Sequence, residues 1–289
     1  MPILASSYTP SESASILVLF LFGVIINAVV YKQGFFKLAP KDSDHRYFSL
    51  KQTFVCFSIY FINAFFLAPF LFHNIVSKYG PFFESLKTRL VLFQALVVLC
   101  NIALLSLYLL FQNKTQLKAL WKDPSTKSTS YFYDGLIGVF TWFLSFPLIV
   151  GINALCDKIL DYFFHFHEVD QVAVRFLKTS SSSWITLAIT TLIIIVSAPF
   201  IEEFLFRGCI QNYLRRYLGT LGSIVTTSLI FACMHFSPSQ NLSNVSLLVS
   251  LFFFSLYLGF VYEKTRSLIT SIILHMTFNG ISVIRILLS

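Results

Sequence analysis

Charged residues are scarce in this chain of 289 residues. Lys, Arg, Asp and Glu together make up 12% of it, whereas hydrophobic residues make up 56%. A soluble domain carries about twice that share of charge, so the composition excludes an ordinary water-soluble fold. We expect an integral, multi-pass membrane protein, in the cytoplasmic membrane if the source is a bacterium.

Two common metal-binding motifs are absent from the sequence. The five cysteines form no Cys-x-x-Cys pair, and no His-Glu-x-x-His sequence occurs, so the usual cysteine metal motif and the zinc-protease helix are both missing.

The net charge of +8 comes mostly from Lys and Arg in short connections between apolar runs. Such residues set topology and meet lipid headgroups, so we expect no nucleic-acid partner.

Long apolar runs dominate the rest of the sequence. A helix needs about 20 residues to cross a bilayer core, and eight runs come near that length, at approximately 14–31, 53–72, 90–111, 135–156, 185–200, 221–236, 246–262 and 267–288. The predicted fold is an all-α polytopic membrane helix bundle of about eight transmembrane helices. Residues 1–184 would hold about four spans with their loops, and residues 185–289 about four more.

The first four predicted spans each contain one asparagine, at Asn27, Asn63, Asn101 and Asn153. An amide inside a membrane helix commonly forms hydrogen bonds to a neighbouring helix. We therefore expect these side chains to join helices, and some of them to line a polar cavity.

The segment 185–218 is too long for one straight span. At 1.5 Å per residue it would measure about 50 Å, against a hydrocarbon core of about 30 Å. Pro199 lies within it, and proline removes a backbone donor and kinks or ends a helix. We expect a kinked or broken helix near Pro199, with Arg215 and Arg216 at its far end near the headgroups.

Glu202, Glu203 and Arg207 follow Pro199 inside this apolar sequence. A charge costs about 2.5 to 3.5 kcal/mol at the centre of a membrane helix, so a carboxylate there indicates a functional site with a nearby partner. Glu203 and Arg207 are four residues apart and share a helix face, whereas Glu202 is rotated by about 100°. Arg207 can therefore neutralise Glu203, which leaves Glu202 to face a cavity.

Two other apolar segments carry polar side chains that can meet Glu202. His235 ends one segment, and His275 and Asn279 lie four residues apart on another. Helix bundles build core sites from such groups on facing helices. Peptide hydrolysis needs a base for water and donors for the developing oxyanion, and this set supplies both. A lone histidine or Glu–Arg pair is often only structural, but the joint occurrence favours a site.

These residues resemble the motifs of the CPBP family of intramembrane proteases, which includes the enzymes that trim prenylated CAAX proteins and bacterial relatives linked to bacteriocin processing or self-immunity. The family pattern is Glu-Glu-x-x-x-Arg, then Phe-x-x-x-His, then His-x-x-x-Asn or Asp. The matching residues are Glu202, Glu203, Arg207, Phe231, His235, His275 and Asn279. The resemblance covers roughly residues 185–288 and makes the second group of spans the CPBP-like catalytic core.

The resemblance implies an intramembrane endopeptidase that hydrolyses a peptide bond of a membrane-associated substrate, which in this family can be lipid-modified. It assigns the activation of water to Glu202 and His235, and the stabilisation of the oxyanion to His275 and Asn279. The supporting residues are Glu203, Arg207 and Phe231. We expect glutamate chemistry without a cofactor. The alternative is a metal-dependent enzyme in which Glu202, His235 and His275 hold zinc.

Two other classes of function stay open. In a transporter the same ionisable groups would relay protons or bind an ion, although the distortion expected at Pro199 has no evident counterpart in the first half of the sequence. A catalytically silent relative would bind a peptide and confer immunity. The intact motifs favour the peptidase over both.

Overall fold

The structure is a computed structural model, and it describes residues 10–38, 48–80, 85–122, 130–165, 169–181 and 183–288. Within these ranges the chain is helical, apart from connections and one isolated β-bridge between Lys122 and Ser267. The helices are α1 (Pro10–Lys32), α2 (Leu50–Tyr79), α3 (Leu86–Leu110), α4 (Lys114–Trp121), α5 (Tyr131–Phe164), α6 (Val172–Ser180), α7 (Trp184–Cys233), α8 (Ser243–Thr265) and α9 (Leu268–Leu288). The predicted all-α fold is confirmed.

Seven of these described helices, all except the short α4 and α6, are long and apolar enough to cross a membrane. The protein is thus an integral, multi-pass membrane protein. The sequence predicts about eight spans, one more than the structure shows in its described residues. The prediction counted the runs 185–200 and 221–236 as two helices, whereas both lie in the 50-residue α7. Helical geometry fails inside α7 at Gly219, which has φ 67° and ψ −175°. Glycine adopts positive φ without steric cost, so α7 consists of two arms that meet at a kink.

The distortion predicted near Pro199 is a widened turn rather than a break. Residues Ile193–Ser197 form a π-helical turn, and the N–H of Ala198 donates to the carbonyl of Ile193, five residues back. The next residue is Pro199, which has no N–H to donate to Ile194. Asn279 of α9 fills this position, because its Nδ2 donates to the Ile194 carbonyl oxygen at 2.9 Å.

A similar π-helical turn lies in α2, at Asn63–Leu67, immediately before Ala68 and Pro69. The N–H of Ala68 donates to the carbonyl of Asn63, again five residues back. The expectation that the Pro199 distortion lacks a counterpart in the first half of the chain is therefore wrong. The two turns differ in their polar neighbours, since the two glutamates after Pro199 have no equivalents after Pro69.

Asparagine amides join the membrane helices, as predicted. Asn27 donates from Nδ2 to the carbonyl of Leu144 at 2.8 Å and accepts from the Tyr257 hydroxyl at 2.7 Å, so it links α1, α5 and α8. Asn63 donates to the carbonyl of Val97 at 2.9 Å and links α2 to α3. Each bond pairs polar groups that lipid would leave without a partner.

Helix α5 packs against α1, α8 and α9. Glycines allow α1 and α5 to approach at backbone distance: a Cβ on Gly23 would lie 2.6 Å from the Leu148 nitrogen, and one on Gly151 would lie 2.8 Å from the Phe20 Cα. The helices on either side of the predicted boundary at residue 184 therefore share one packed bundle, and the division into two parts stays a prediction.

We predict that Gly151→Val destabilises the protein by about 1 to 3 kcal/mol, because the new side chain would force α1 away from α5. The measurement is thermal unfolding of the detergent-purified protein. Gly80→Val is the control, since no atom of the described residues, apart from its chain neighbours, lies within 4 Å of a Cβ at Gly80. Equal melting temperatures for the two variants would contradict the close α1–α5 contact.

Candidate active site

Glu202 faces both predicted histidines across a cavity of about 530 Å³. Its Oε2 lies 3.9 Å from the Nε2 of His235 and 3.9 Å from the Nε2 of His275. The Glu202 side chain is 25% exposed, whereas that of Glu203 is completely buried. The sequence therefore predicted correctly that the two adjacent carboxylates have different environments, and that Glu202 is the one that reaches the cavity.

Glu203 joins two of the predicted site residues. Its Oε1 accepts a hydrogen bond from Arg207 Nη1 at 2.9 Å and one from His275 Nδ1 at 2.9 Å. An ionised carboxylate can only accept, so the Nδ1 of His275 carries a proton in this bond, and the Nε2 is the ring nitrogen that faces Glu202. Glu203 thus fixes both the orientation and the tautomer of His275.

Arg207 is completely buried and has partners on two sides. Besides Glu203, it contacts Ser255 of α8, donating from Nη2 to the Ser255 hydroxyl at 2.6 Å and to the Ser255 carbonyl at 3.2 Å. Its guanidinium also lies 4.8 Å from the centre of the Phe231 ring, a cation–π contact. Sequence reasoning missed Ser255, because one serine in an apolar helix carries no signal that connects it to an arginine 48 residues away.

The Phe-x-x-x-His spacing has a backbone explanation. Near the end of α7 the N–H of His235 donates to the carbonyl of Ala232, three residues back, instead of that of Phe231. The Phe231 carbonyl then accepts from the His235 ring Nδ1 at 2.8 Å. Because a carbonyl can only accept, the Nδ1 of His235 carries a proton, and its Nε2 is the ring nitrogen that faces Glu202. The Phe231 ring packs against the imidazole, with centroids 4.6 Å apart.

Asn279 lines the same cavity as Glu202 and the two histidines. One amide hydrogen of its Nδ2 is used by the bond to Ile194 described above. An amide nitrogen has two hydrogens, so this bond orients the side chain while a second donor remains. The structure therefore brings together all four predicted catalytic side chains, and their chemical roles stay predictions.

The polar face of α7 continues beyond Arg207 as a second buried network. Gln211 donates to the Gly259 carbonyl and to Glu263 Oε1, both at 3.1 Å. Arg215 Nη1 lies 2.9 Å from Glu263 Oε2. Arg215 is only 7% exposed, and its expected level near the headgroups stays a prediction. The carboxylate of Glu263, on α8, holds it inside the bundle.

The alternative zinc site requires shorter distances than these. Two ligands of a tetrahedral zinc ion, each about 2.0 to 2.2 Å from the metal, lie about 3.3 to 3.5 Å apart. The contacts of Glu202 with His235 and His275 are wider, at 3.9 Å. In the described part of the chain, no three His, Cys, Asp or Glu side chains are grouped closely enough to hold a metal ion. The three side chains as placed are farther apart than zinc ligands, and chemistry without a metal stays a prediction.

The cavity holds one carboxylate, two imidazoles oriented by hydrogen bonds and a spare amide donor. These groups lie on the membrane-spanning helices α7 and α9 or, for His235, two residues beyond the end of α7, and together they form a site suited to acid–base chemistry. The family model described as type II CAAX prenyl endopeptidase, Rce1-like, matches residues 184–281. This segment is about a third of the chain and contains every residue of the three motifs. The resemblance of this segment to the CPBP and CAAX proteases is thereby confirmed. No curated protein and no solved structure gives a significant match.

We predict that Arg207→Met lowers stability by about 3 to 5 kcal/mol, because Glu203 would keep a buried charge without its guanidinium partner. The double variant Glu203→Gln/Arg207→Met should recover a large part of this loss, since a neutral amide can still accept from His275. Thermal unfolding of the purified proteins checks both. A double variant that is less stable than Arg207→Met would contradict the pairing.

Proposed function

We propose that the protein is a glutamic-type intramembrane endopeptidase in which Glu202 and His235 activate a water molecule. The observation that carries this proposal is the position of Glu202 Oε2, 3.9 Å from both imidazole Nε2 atoms. That separation is too long for a direct hydrogen bond. A single water about 2.8 Å from both atoms would bridge this separation, so that a carboxylate and an imidazole polarise one nucleophile.

The two histidines have different partners, which supports different roles. His235 is backed by the neutral carbonyl of Phe231, so its Nε2 acts as an acceptor for a water proton. His275 is backed by the carboxylate of Glu203, which stabilises a positive charge on the ring. Protonated at Nε2, His275 can donate to the oxyanion that forms when water attacks the carbonyl. Asn279 supplies a second donor through its remaining amide hydrogen.

The proposed step balances with these residues alone. A bond forms between the water oxygen and the peptide carbonyl carbon, while Glu202 accepts the water proton. The tetrahedral intermediate then collapses as the bond from carbon to nitrogen breaks. Glu202 returns the proton to the leaving amine, the exchange expected of a carboxylate that acts first as base and then as acid.

Apolar side chains form much of the remaining cavity wall, including Leu247, Leu251, Phe254 and Phe278. A cavity with apolar walls and a few convergent polar groups suits a membrane-associated peptide. The match to CAAX prenyl endopeptidases supports a lipid-modified substrate in particular.

The transporter alternative gains one observation, because proline-associated π-helical turns occur in both α2 and α7. Internal repeats with distorted helices are typical of transporters. The carboxylates, however, follow only the second turn, and the paired histidines serve hydrolysis. The silent, peptide-binding alternative predicts the same cavity without turnover.

We predict that Glu202→Gln abolishes cleavage, with a loss of at least about a hundredfold, because an amide cannot accept the water proton. The assay incubates the purified wild type and the variant with a library of membrane peptides and identifies products by mass spectrometry. Glu168→Gln serves as a control that changes a glutamate outside the motifs.

Equal cleavage by the wild type and Glu202→Gln would remove Glu202 as the base. Ion flux in proteoliposomes without any proteolysis would favour the transporter. A biological phenotype that survives Glu202→Gln would favour the silent binding protein.

We predict further that chelators leave the cleavage rate unchanged, because the donor atoms are spaced for water rather than for zinc. The rate is measured after incubation with EDTA or 1,10-phenanthroline and again after zinc is added. Loss of activity that zinc restores would establish the metal-dependent alternative.

A further inference from the structure

The wall of the cavity carries polar side chains that the proposed chemistry does not use. Four of them are those of Asn153, Ser250, Ser282 and Gln240. Asn153 confirms the expectation that an asparagine of the first four spans lines the cavity. The first three side chains each donate a hydrogen bond to another residue. Gln240 differs, because it is only 1% exposed and its Nε2 is buried without a hydrogen-bond partner among the described residues.

A buried amide donor without a partner has a free-energy cost, because it has lost its hydrogen bonds to water and gained none in the protein. An acceptor on a ligand, such as a peptide carbonyl, removes that cost. Gln240 lines the same cavity as Glu202 and His235. A substrate that lies against the proposed catalytic residues therefore shares a chamber with this unused donor.

The connection between α7 and α8 is fixed on both sides of Gln240. The buried Asn244 donates from Nδ2 to the carbonyl of Ser237 at 2.7 Å and to that of Asn241 at 2.9 Å. Its Oδ1 accepts from the N–H of Ser237 at 3.0 Å. Between these two points, Pro238 begins a single 3₁₀ turn that ends at Gln240. The backbone at Gln240 thus has little freedom to move its side chain toward an internal acceptor.

The backbone immediately after Gln240 is strained. Asn241 has φ 47° and ψ −130°, a combination that residues with a side chain rarely adopt. The bond from Asn244 to the Asn241 carbonyl helps to hold this conformation. Strained residues of this kind are concentrated at active sites and ligand-binding segments. The strain is thus a second observation, separate from the missing partner, that points to binding at this connection.

Gln240 lies within reach of a peptide that is cleaved beside His235. It follows His235 by five residues, so the two Cα atoms are at most about 17 Å apart. An extended peptide covers the same distance with about five residues. The glutamine amide therefore meets the substrate backbone within about five residues of the cleaved bond.

We propose that Gln240 is a substrate-positioning residue, which donates a hydrogen bond from Nε2 to a backbone carbonyl of the bound peptide. This inference rests on the proposed peptidase function. Every residue of a peptide has a backbone carbonyl, so the contact holds the substrate in register without selecting a side chain. The contact lies away from the reacting atoms, so its loss raises KM more than it lowers kcat.

The first test replaces the amide by an apolar side chain of similar size. For a library peptide that the wild type cleaves, Gln240→Leu should lower kcat/KM by about fivefold to a hundredfold, mainly through KM. Its melting temperature should equal or exceed that of the wild type, because the variant removes a buried polar group that has no partner. A glutamine with only a structural role would give the opposite pattern, a lower melting temperature with unchanged kinetics.

The matched control is Gln33→Leu, which changes an exposed glutamine that is not among the described lining residues of the cavity. It should keep the wild-type kcat/KM. An unchanged kcat/KM in Gln240→Leu would contradict the proposal.

The second test identifies the substrate carbonyl. Peptide bonds of the cleaved peptide are replaced one at a time by (E)-alkene isosteres, within about five residues on either side of the cleaved bond. At one position the replacement should lower kcat/KM of the wild type by about fivefold or more and leave that of Gln240→Leu unchanged. Such coupling assigns the lost hydrogen bond to this pair. Equal effects in both proteins at every position would overturn the proposal.

Binding separates failure of the positioning contact from failure of the proteolysis. The library of membrane peptides is passed over immobilised Glu202→Gln and Glu202→Gln/Gln240→Leu, and the retained peptides are quantified by mass spectrometry. Retention that is lower on the double variant, by about fivefold or more, would uphold the contact even if the wild type cleaved nothing. Equal retention on the two proteins would remove the contact whether or not cleavage occurs.

Discussion

The site depends on one buried carboxylate, that of Glu203. It has no exposed surface, and a single oxygen accepts from both Arg207 and His275. An isolated charge in such surroundings would cost several kcal/mol, and the guanidinium and the imidazole remove that cost only while they stay in contact. Arg207 in turn holds Ser255. Helices α7, α8 and α9 are therefore joined at the depth where Glu202 meets the histidines.

Irregular backbone supplies the remaining anchors. A regular membrane helix uses its carbonyls internally, so side chains find few acceptors there. Here the π-helical turn before Pro199 leaves the Ile194 carbonyl for Asn279, and the tightened end of α7 leaves the Phe231 carbonyl for His235. Asn279 and His235 are thus oriented by carbonyl oxygens that, in an undistorted helix, would accept hydrogen bonds from backbone N–H groups. Such local widening is frequent at functional sites.

The sequence was sufficient for the membrane class, the helical fold and the convergence of the motif residues, because apolar runs and four-residue spacings are local signals. It was insufficient for the partners of those residues. Ser255 meets Arg207 and Glu263 meets Arg215 across about 48 residues of chain, and no periodicity encodes such pairings. About eight spans were predicted, but seven described helices are long enough to span a membrane. The difference arises because hydropathy separated the runs 185–200 and 221–236, whereas both belong to α7, which is kinked between them at Gly219.

The unequal exposure of the two imidazoles gives the site a direction. His235 is 32% exposed and Glu202 25%, whereas His275 is 6% exposed. The side on which the proposed nucleophile would lie is therefore the more accessible flank of the chamber, and the side proposed to face the developing negative charge is the enclosed one. In the proposed mechanism, water would exchange on the accessible flank, while the low dielectric around the enclosed His275 would strengthen its hydrogen bond to the oxyanion. A peptide bound in this chamber would thus lie between the accessible side, at Glu202 and His235, and the enclosed side, at His275.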